Sequence, residues 1–438
     1  MSSSVIMQTF IAISLPTVTA QLGGMYLYSW VFGGYMLAST VTIPLFGKLA
    51  DLLGRRVLYI YGLIVFAVGL FLAGFSQTML MLVIFRIIMG IGAGAISPAA
   101  YAVVGDLFPD DKLTKIFGML GIAQVISFLL GPSLGGLITD SLSWRIGFIL
   151  FVPLEIMAGI FVWLGVPGSA PNKTIDLTHG LGWKEIIKKL DWQGSLLIAV
   201  GLFSFLLVFQ LVGGRHYGQG SAFILISCMS IALFFFWERK HIAPVLPLKL
   251  LRQSQFDMTM LTTFLWGVLN NAAIAYIPLY YQRIRSASAT QTGILLVPLM
   301  ITAGIASGLC GRITFQRQRG VAAVAWLFAG VAFLGLVFLG WHWQNYLTML
   351  FFIPVGFCVG LLLPFYLSSA QRLSDVSNRA SMGGLIQLSR NLGGAMGVSL
   401  LGIWISGNLK MGMALQAIFL SLSFVAFLGL ILTWLQKN

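Results

Sequence analysis

Charged residues are scarce in this sequence. Asp, Glu, Lys and Arg make up 9% of the 438 residues and hydrophobic residues 58%, whereas soluble domains carry about 25% charged residues. The mean hydropathy is +0.94. This composition excludes an ordinary soluble protein and indicates an integral membrane protein. The period-two alternation that a membrane β-barrel requires is also missing, so we expect an all-α protein.

Cysteine and histidine are also few, with three cysteines and four histidines in the chain. The cysteines lie in apolar runs without CxxC spacing, and an odd number cannot pair completely within one chain. The histidines are spread over separate loops or loop edges, which does not suit a metal site. We therefore expect no disulfide, no metal and no cofactor. These residues are Cys228, Cys310, Cys358, His179, His216, His241 and His342.

A nucleotide-binding motif is absent as well. No GxxxxGK[ST] sequence occurs, which argues against a transporter that hydrolyses ATP by itself. The run GIGAGA (90–95) lies in a long apolar segment, so we expect Gly90 and Gly94 to serve helix packing. The residues MSSS before the first apolar run include no basic residue, which predicts a retained helix instead of a cleaved signal. That run starts close to Met1, so whether the N-terminus is complete is left open.

Apolar runs of about 20 residues recur along the chain, each long enough to cross a hydrocarbon layer of about 30 Å as a helix. Fourteen spans are predicted, arranged as six, two and six. We expect an N-terminal six-helix bundle at 1–166, a central region at 167–255 with cytoplasmic linkers and two extra helices, and a C-terminal six-helix bundle at 256–438. The spans are 5–22, 29–48, 57–76, 79–104, 115–138, 145–166, 192–213, 220–238, 256–282, 291–313, 320–340, 345–366, 383–405 and 413–436.

The positive charges predict an orientation. If both termini are cytoplasmic, 19 of the 26 Lys and Arg residues lie in inner loops and the tail, five lie outside, and Arg86 and Arg390 fall inside spans. This bias is the one expected for a multi-pass protein of the cell membrane. The net charge of +14 is explained by this orientation, so we expect no nucleic-acid partner.

The charged stretch GKLADLLGRR (47–56), between spans two and three, resembles motif A of the major facilitator superfamily. Leu52 stands where the family commonly has a basic residue. Glycines permit a tight turn, and an acid with arginines can make charge-assisted contacts that form a breakable cytoplasmic latch. The alternative is that the arginines only follow the positive-inside rule. The matching residues are Gly47, Asp51, Gly54, Arg55 and Arg56.

Two further stretches extend the resemblance. FRIIMGIGAG (85–94) is similar to motif B, with Arg86 as its membrane arginine and Met89 in place of the usual glutamine. LLGPSLGGLI (129–138) is similar to motif C, which is associated with antiporters. Proline after glycine invites a bend, and the glycines let a neighbouring helix slide on the same face. The motif C residues are Gly131, Pro132, Gly135 and Gly136.

The second half adds likenesses to the fourteen-span drug:proton antiporter branch of the family, in YIPLYYQ (276–282), GILLVP (293–298) and LSRNLGGAMG (388–397). A weak internal repeat relates 124–136 to 387–397. GRITFQRQRG (311–320) stands where the second-half counterpart of motif A would lie, without its aspartate. The resemblance implies the major facilitator fold, two six-helix bundles that rock around a site near the bilayer midplane, here with two extra central helices.

Three ionisable residues inside spans are candidates for energy coupling: Arg86, Glu155 and Arg390. Glu155 lies eleven residues after Trp144, about 16 Å along a helix and near mid-membrane. Burial disfavours a charged carboxyl, which suits a proton carrier. The family branch often has an aspartate in span one, where this chain has Met7, so we predict that Glu155 and Arg86 serve proton coupling. A structural role for Glu155, paired with an arginine or beside a wet cavity, remains the alternative.

Polar residues within apolar spans are candidates for the substrate cavity because unpaired polar groups are costly in a membrane. The 33 Phe, 18 Met and 12 Trp could form an adaptable apolar pocket, but any one of them is as well explained by contact with lipid. None of these aromatic or Met residues is therefore assigned. The predicted cavity residues are Gln124, Asn270, Asn271, Tyr276, Gln387 and Arg390.

These features predict a secondary active transporter and not an enzyme, with the proton gradient as its energy source. The expected function is efflux of hydrophobic or amphipathic drugs by antiport with protons. Its partners would be a small amphipathic substrate, protons and the lipid bilayer, and we expect it to work as a monomer. An exporter of a dedicated metabolite, lipid or siderophore is the first alternative. A transport-inactive membrane sensor or scaffold is the second.

Overall fold

The fold is described from a computed structural model of the chain. The described residues are 2–107, 123, 126–127, 130–166, 192–213, 217–238, 254–310, 313, 315–338, 345–372, 379–406 and 409–435. All regular secondary structure in these ranges is helical.

Six helices occupy the first part of the chain. A single 3-10 turn at Met25–Leu27 joins the first two, and it follows Gly23 and Gly24, which both have positive φ. Ser143 accepts a hydrogen bond from the Arg145 N–H at the start of the sixth helix. The helices are α1 (Ser2–Leu22), α2 (Tyr28–Leu53), α3 (Arg55–Gly74), α4 (Met79–Leu107), α5 (130–141) and α6 (Trp144–Gly165).

Nine longer helices and three short helical turns are described after the sixth. The short turns are Asn345–Thr348, Met349–Phe351 and Ile403–Ser406. The helices are α7 (Trp192–Gly213), α8 (Tyr217–Glu238), α9 (Ser254–Arg283), α10 (Ala289–Leu295), α11 (Val297–Cys310), α12 (Phe315–Phe338), α13 (Phe352–Arg372), α14 (Arg379–Leu401) and α15 (Met411–Leu435).

The predicted span at 291–313 is divided into α10 and α11. Helix α10 starts with a capping box, in which the side chains of Ser288 and Gln291 accept hydrogen bonds from each other's backbone N–H groups. It is interrupted at Leu296, two residues before Pro298. Proline has no N–H to donate, and its ring crowds the carbonyl group four residues earlier, which kinks or breaks a helix in the turn before the proline. The division therefore follows from a residue that is visible in the sequence.

Ten of the described helical segments are long and apolar enough to cross a membrane. The chain is therefore a multi-pass helical membrane protein. The predicted total of fourteen spans stays a prediction, because residues such as 115–122, within predicted span five, lie outside the described ranges.

The chain forms two compact units. The first consists of Met1–Gln8, Leu22–Ser127 and Leu142–Leu246, and the second consists of Thr9–Gln21, Phe128–Ser141 and Pro247–Asn438. In the first unit, α4 packs against α2 and α3, α6 packs against α3, and α7 pairs with α8. In the second, α9 packs along α14, α11 along α13, and α12 along α15. The second unit thus includes most of α1 and all of α5.

Burial distinguishes the central helices from the peripheral ones. In the apolar stretch of α9, 72% of the residues are buried, compared with 22% in α6 and in α8. Large side chains such as Trp144 and Phe148 in the first unit, and Trp326 and Tyr366 in the second, are fully buried. Exposed faces carry Leu, Phe and Trp, as expected for surfaces that contact lipid.

Candidate functional site

The first unit contains a buried carboxylate without a hydrogen bond. Glu155 of α6 is 1% exposed, and neither of its oxygens has a hydrogen-bond partner in the described chain. The hydroxyl of Ser3, at the start of α1, lies beside the carboxylate but does not reach hydrogen-bonding geometry. Glu155 is therefore buried, as expected, and the arginine pairing that was part of the alternative interpretation is not seen among the described residues.

Arg86 of α4 is the second buried charge in this unit. It is 0% exposed. Its Nε donates to the Val31 carbonyl oxygen at 3.3 Å, and its guanidinium lies over the Tyr35 ring, 4.2 Å from the centroid. Both terminal nitrogens are buried and have no hydrogen-bond partner among the described residues. The guanidinium is thus held by one hydrogen bond and one cation–π contact, which leave four N–H groups unused.

Close packing of α2 on α4 creates this arrangement. Gly90, one turn after Arg86, abuts the Tyr35 carbonyl oxygen, and Gly94 abuts the Thr42 hydroxyl. The predicted packing role of both glycines is confirmed. Because no side chain separates the helices at these points, the Tyr35 ring can reach the Arg86 guanidinium. Tyr35 was not foreseen from the sequence, because its place beside Arg86 depends on how α2 packs on α4.

Arg86 and Glu155 both act electrostatically on Tyr35. Tyr59 of α3 also interacts with Glu155. Arg86 and Glu155 nevertheless do not hydrogen-bond to each other. A buried ion without a partner costs several kcal/mol even after relaxation. Such a region is chemically suited to take up and release a proton or another charged species.

A small cavity lies among helices of the second unit. Its walls are mostly apolar, and its two polar side chains come from Thr9 of α1 and Asn270 of α9. Pro132 of motif C contributes to the wall from α5, and Met300 contributes from α11. No acidic or basic side chain lines it in the described part of the chain. The cavity is therefore small and mostly apolar, with one amide and one hydroxyl among its lining side chains.

The other predicted cavity residues have different surroundings. Asn271 is 6% exposed, and its amide donates to the Gly267 carbonyl oxygen at 3.0 Å. Tyr276 is fully buried, and its hydroxyl donates to the Val398 carbonyl oxygen at 2.6 Å, which joins α9 to α14. Gln124 lies outside the described residues. Only Asn270 among these four is placed in the cavity wall, and a substrate contact for the others stays a prediction.

Gln387 and Arg390 of α14 are brought together around Asn391. Gln387 Nε2 and Arg390 Nε each lie 3.4 Å from the Asn391 Oδ1. The Arg390 guanidinium lies 6.0 Å from the centroid of the Trp266 ring of α9. Asn391 was missed in the sequence, although it stands between two predicted residues in the run LSRNLGG. These residues form a polar group on α14 that is distinct from the cavity lining.

Motif A lies where α2 ends and α3 begins. Gly54, between the two helices, has φ 93°, a conformation that favours glycine. Gly47 and Asp51 are in the last turns of α2, and the side chain of Asp51 is outside the described part. Arg56 donates to the Trp163 carbonyl oxygen at the end of α6, and its guanidinium lies 4.4 Å from the Trp163 ring centroid. Arg56 therefore connects α3 to α6.

The second unit contains a similar contact. Arg319, near the start of α12, donates from Nε to the Thr433 carbonyl oxygen at 3.1 Å and from a terminal nitrogen to the Trp434 carbonyl oxygen at the end of α15. In each unit, an arginine at the beginning of one helix thus binds carbonyl groups at the end of another. Carbonyls in a last helical turn have no partner within their own helix, so each arginine satisfies groups that are otherwise unpaired.

Motif C packs closely against its neighbours in the second unit. A methyl group at Gly136 would lie 2.5 Å from the Ala289 carbonyl oxygen of α10. Gly293 of α10 abuts the Pro132 carbonyl oxygen in turn, and Gly135 faces Phe10 of α1. Gly131 is buried. Gly135 and Gly136 therefore lie at close helix contacts, as predicted, and the sliding of a neighbouring helix on this face stays a prediction.

The described ranges contain no group of three or more His, Cys, Asp or Glu residues that could hold a metal ion.

Comparison with known proteins gives consistent matches over the chain. Residues 1–398 match the family model described as Major Facilitator Superfamily. The multidrug transporter protein MdtP of Bacillus subtilis (strain 168) is 30% identical over 411 residues, which are 92% of this chain and 73% of that protein. Multidrug resistance protein 3 of the same organism is 31% identical over 405 residues, 90% of this chain and 75% of that protein.

Solved structures show the same fold at lower identity. The human organic anion transporter MFSD10 superposes with a TM-score of 0.62 at 17% identity, covering 99% of this chain and 97% of that one. The nucleoside transporter NupG superposes with a TM-score of 0.63 at 13% identity and covers all of both chains. At these identities the likeness concerns the fold alone.

Proposed function

The chain belongs to the major facilitator superfamily, and on this premise we propose that it is a proton-driven exporter of hydrophobic or amphipathic drugs. The names of its relatives favour this substrate class, since two of them at 30% and 31% identity are a multidrug transporter and a multidrug resistance protein. The motif C likeness at 129–138 favours antiport.

The observation that carries the proposal is the pair of unpaired buried charges in the first unit. Glu155 and Arg86 are 1% and 0% exposed, and the Glu155 oxygens and the terminal Arg86 nitrogens lack hydrogen-bond partners. A structural ion pair would be expected to form the bonds that are missing here. A carboxyl group that must alternate between a protonated and an ionised form can do so more readily if no fixed partner stabilises one of the two forms. Glu155 is therefore the proposed proton carrier, and Arg86 is the charge that tunes it.

The proposed cycle has three steps. Substrate enters from the cytoplasm, with Asn270 among the residues that contact it and with Gln124, Asn271, Tyr276, Gln387 and Arg390 as further proposed contacts. A proton from outside then neutralises Glu155 and favours release. The motif A latch forms and breaks as the six-helix bundles at 1–166 and 256–438 rock. The proposal assumes that the chain has fourteen spans, that both termini are cytoplasmic and that the monomer is functional.

The driving force is adequate for such a cycle. One elementary charge that falls through 100 mV supplies about 2.3 kcal/mol, and a tenfold concentration ratio costs about 1.4 kcal/mol. One proton per cycle therefore supports a substrate gradient of well over tenfold. No nucleotide hydrolysis is needed.

The test is dye transport by the purified chain in proteoliposomes. An imposed pH gradient is expected to drive accumulation of ethidium, and Glu155→Gln is expected to abolish that accumulation while the protein still inserts. Glu238→Gln is the matched control, because Glu238 at the end of α8 is also a buried glutamate, 2% exposed. Normal gradient-driven transport by Glu155→Gln would remove Glu155 from the mechanism. Accumulation that survives collapse of the gradient would refute proton coupling altogether.

A further inference from the structure

Asp140, at the end of α5, is bound to the start of α10. Its Oδ2 accepts a hydrogen bond from the Thr290 N–H at 2.7 Å, and its Oδ1 accepts one from the Ala289 N–H at 3.2 Å. These N–H groups belong to the first turn of α10 and have no partner within that helix. A carboxylate that receives two such bonds makes charge-assisted contacts, which are stronger than neutral ones.

The end of α9 binds α1 in a similar way. Gln282 donates from Nε2 to the Ile13 carbonyl oxygen at 2.6 Å, and its Oε1 accepts from the Thr17 hydroxyl at 3.2 Å. Arg283 donates from a terminal nitrogen to the Pro16 carbonyl oxygen at 3.2 Å and to the Thr19 hydroxyl at 3.1 Å. Two consecutive side chains of α9 thus make four hydrogen bonds to one stretch of α1.

The two sets of contacts lie on either side of one short connection. Residues 284–288 join α9 to α10. The side chains of Gln282 and Arg283, which bind α1, are therefore fewer than ten residues away from the N–H groups of Ala289 and Thr290, which bind Asp140 of α5. Ser14 of α1 and Thr139 of α5 are also hydrogen-bonded to each other at 2.7 Å. All of these residues belong to the second unit. In the predicted topology, this connection is on the outer side of the membrane.

We propose that Asp140, Gln282 and Arg283 form an outer clasp that fastens the ends of α1 and α5 to the α9–α10 connection and must open for substrate to leave. This inference rests on the proposed transport function for its role, but the clasp itself is defined by contacts. The three residues are positioning residues, since they hold helices and do not touch the cavity described above.

The clasp differs from the proposed proton site in its response to pH. Partial burial opposes ionisation of Asp140, but hydrogen bonds from the backbone of Thr290 and Ala289 and from the hydroxyls of Thr290 and Ser288 outweigh it and lower the pKa of Asp140 below its ordinary value of 3.8. No charged side chain of the described ranges is among the groups that act on it. Asp140 therefore stays ionised, and the clasp stays closed by charge, at any pH at which the transporter would work.

The experiment measures access from outside, without any transport. A cysteine introduced for Ile274, which lines the cavity, is placed in a chain whose three native cysteines are replaced by serine. Right-side-out vesicles are then treated with a membrane-impermeant maleimide. Asp140→Ala is expected to increase the labelling rate about tenfold, because bonds to a charged group are the stronger kind. Asp140→Asn, which keeps the shape and one acceptor, is expected to increase it less.

Two more variants keep the test decisive. Gln282→Leu removes the contact with α1 from a different helix and is expected to accelerate labelling even if Asp140→Ala does not fold. Gln291→Ala is the matched control, because it removes the capping box at the start of α10 without touching α1 or α5, and it is expected to leave the rate unchanged. Equal rates in Asp140→Ala, Gln282→Leu and the parent would overturn the clasp.

The result also separates the clasp from the proposed function. Faster labelling in a chain that transports no dye would leave the clasp standing and refute the exporter. Unchanged labelling in a chain that transports dye under a pH gradient would refute the clasp alone.

Discussion

The buried charges of the first unit and the outer clasp of the second use similar side chains in opposite ways. Glu155 and Arg86 are almost fully buried, and their terminal atoms lack hydrogen-bond partners in the described chain. Asp140 is exposed, yet both of its oxygens accept hydrogen bonds from backbone N–H groups. A protein selected for stability alone would be expected to pair the buried groups first. The contrast indicates that the unpaired charges are kept for function and the paired ones for structure.

The contrast has a simple energetic basis. Removing one partner of a satisfied polar contact leaves the other without a bond and costs free energy. Removing a buried charge that has no partner relieves a desolvation penalty. Mutation should therefore change stability in opposite directions in the two regions.

The largest expected effect is on transport, at Arg86. Arg86→Met keeps a long apolar stem but removes the charge that lies over the Tyr35 ring, so we expect proton-driven dye uptake to be lost in proteoliposomes. The thermal unfolding midpoint is expected to stay the same or to rise, because the buried terminal nitrogens of Arg86, which have no hydrogen-bond partner in the described residues, are removed with the charge. A fall of several degrees together with normal transport would reverse the assignment, since Arg86 would then be structural.

The next effect is steric and concerns the packing beside the clasp. Gly136→Ala places a methyl group 2.5 Å from the Ala289 carbonyl oxygen, so α5 and α10 must separate. We expect labelling of the cavity cysteine from outside to accelerate several-fold and dye transport to fall. Gly308→Ala in α11 is the matched control, because nothing lies within 4 Å of the added carbon. Equal effects of the two substitutions would show that helix propensity, and not this contact, is responsible.

A smaller effect is expected at the helix-end arginines. Arg56→Ala removes a hydrogen bond and a cation–π contact with Trp163, and it should lower the free energy of unfolding by about 1–2 kcal/mol. Arg319→Ala should have an effect of the same size, because it frees two carbonyl groups of α15. Unfolding of the detergent-solubilised protein in a thermal-shift assay provides the measurement. A loss confined to Arg56 would argue against an equivalent role in the two units.

The smallest expected effect is the pH response of the clasp. The pKa of Asp140 is lowered in the closed state, so its contribution is complete at pH values above the ordinary pKa and is lost only as pH falls through the lowered value. Because maleimide reacts with the thiolate, the labelling rate of the parent protein is divided at each pH by the rate for a fully exposed cysteine, and this normalised rate should be constant from about pH 8 to pH 5. A rate that rises between pH 7 and pH 5 would instead make the clasp a proton sensor.

Much of the helical framework could be predicted because it depends on local sequence. The predicted span 192–213 coincides with α7, and 220–238 lies within α8, since continuous apolar runs of this length leave few other choices in a membrane. The division of the span at 291–313 was not predicted, although Pro298 made it foreseeable. The burial of Glu155 followed from its distance along α6.

The partners of the polar residues could not be predicted in the same way, because they depend on which helix faces meet. The substrate contacts predicted for Asn271 and Tyr276 stay predictions, but the sequence did not indicate that their side chains donate to the carbonyl groups of Gly267 and Val398. A buried donor needs an acceptor, and a backbone carbonyl of a neighbouring turn or helix leaves no mark in sequence periodicity. The same applies to the Tyr35 ring under Arg86 and to the backbone groups that bind Asp140.

The central claim is that the unpaired carboxylate of Glu155 carries the proton that drives export. The most direct measurement is proton movement in proteoliposomes that contain a trapped pH-sensitive dye, after addition of ethidium without an imposed gradient. The account predicts that substrate entry moves protons in the opposite direction through the parent protein and that Glu155→Gln shows no proton movement. Substrate-dependent proton movement of normal size through Glu155→Gln would contradict it.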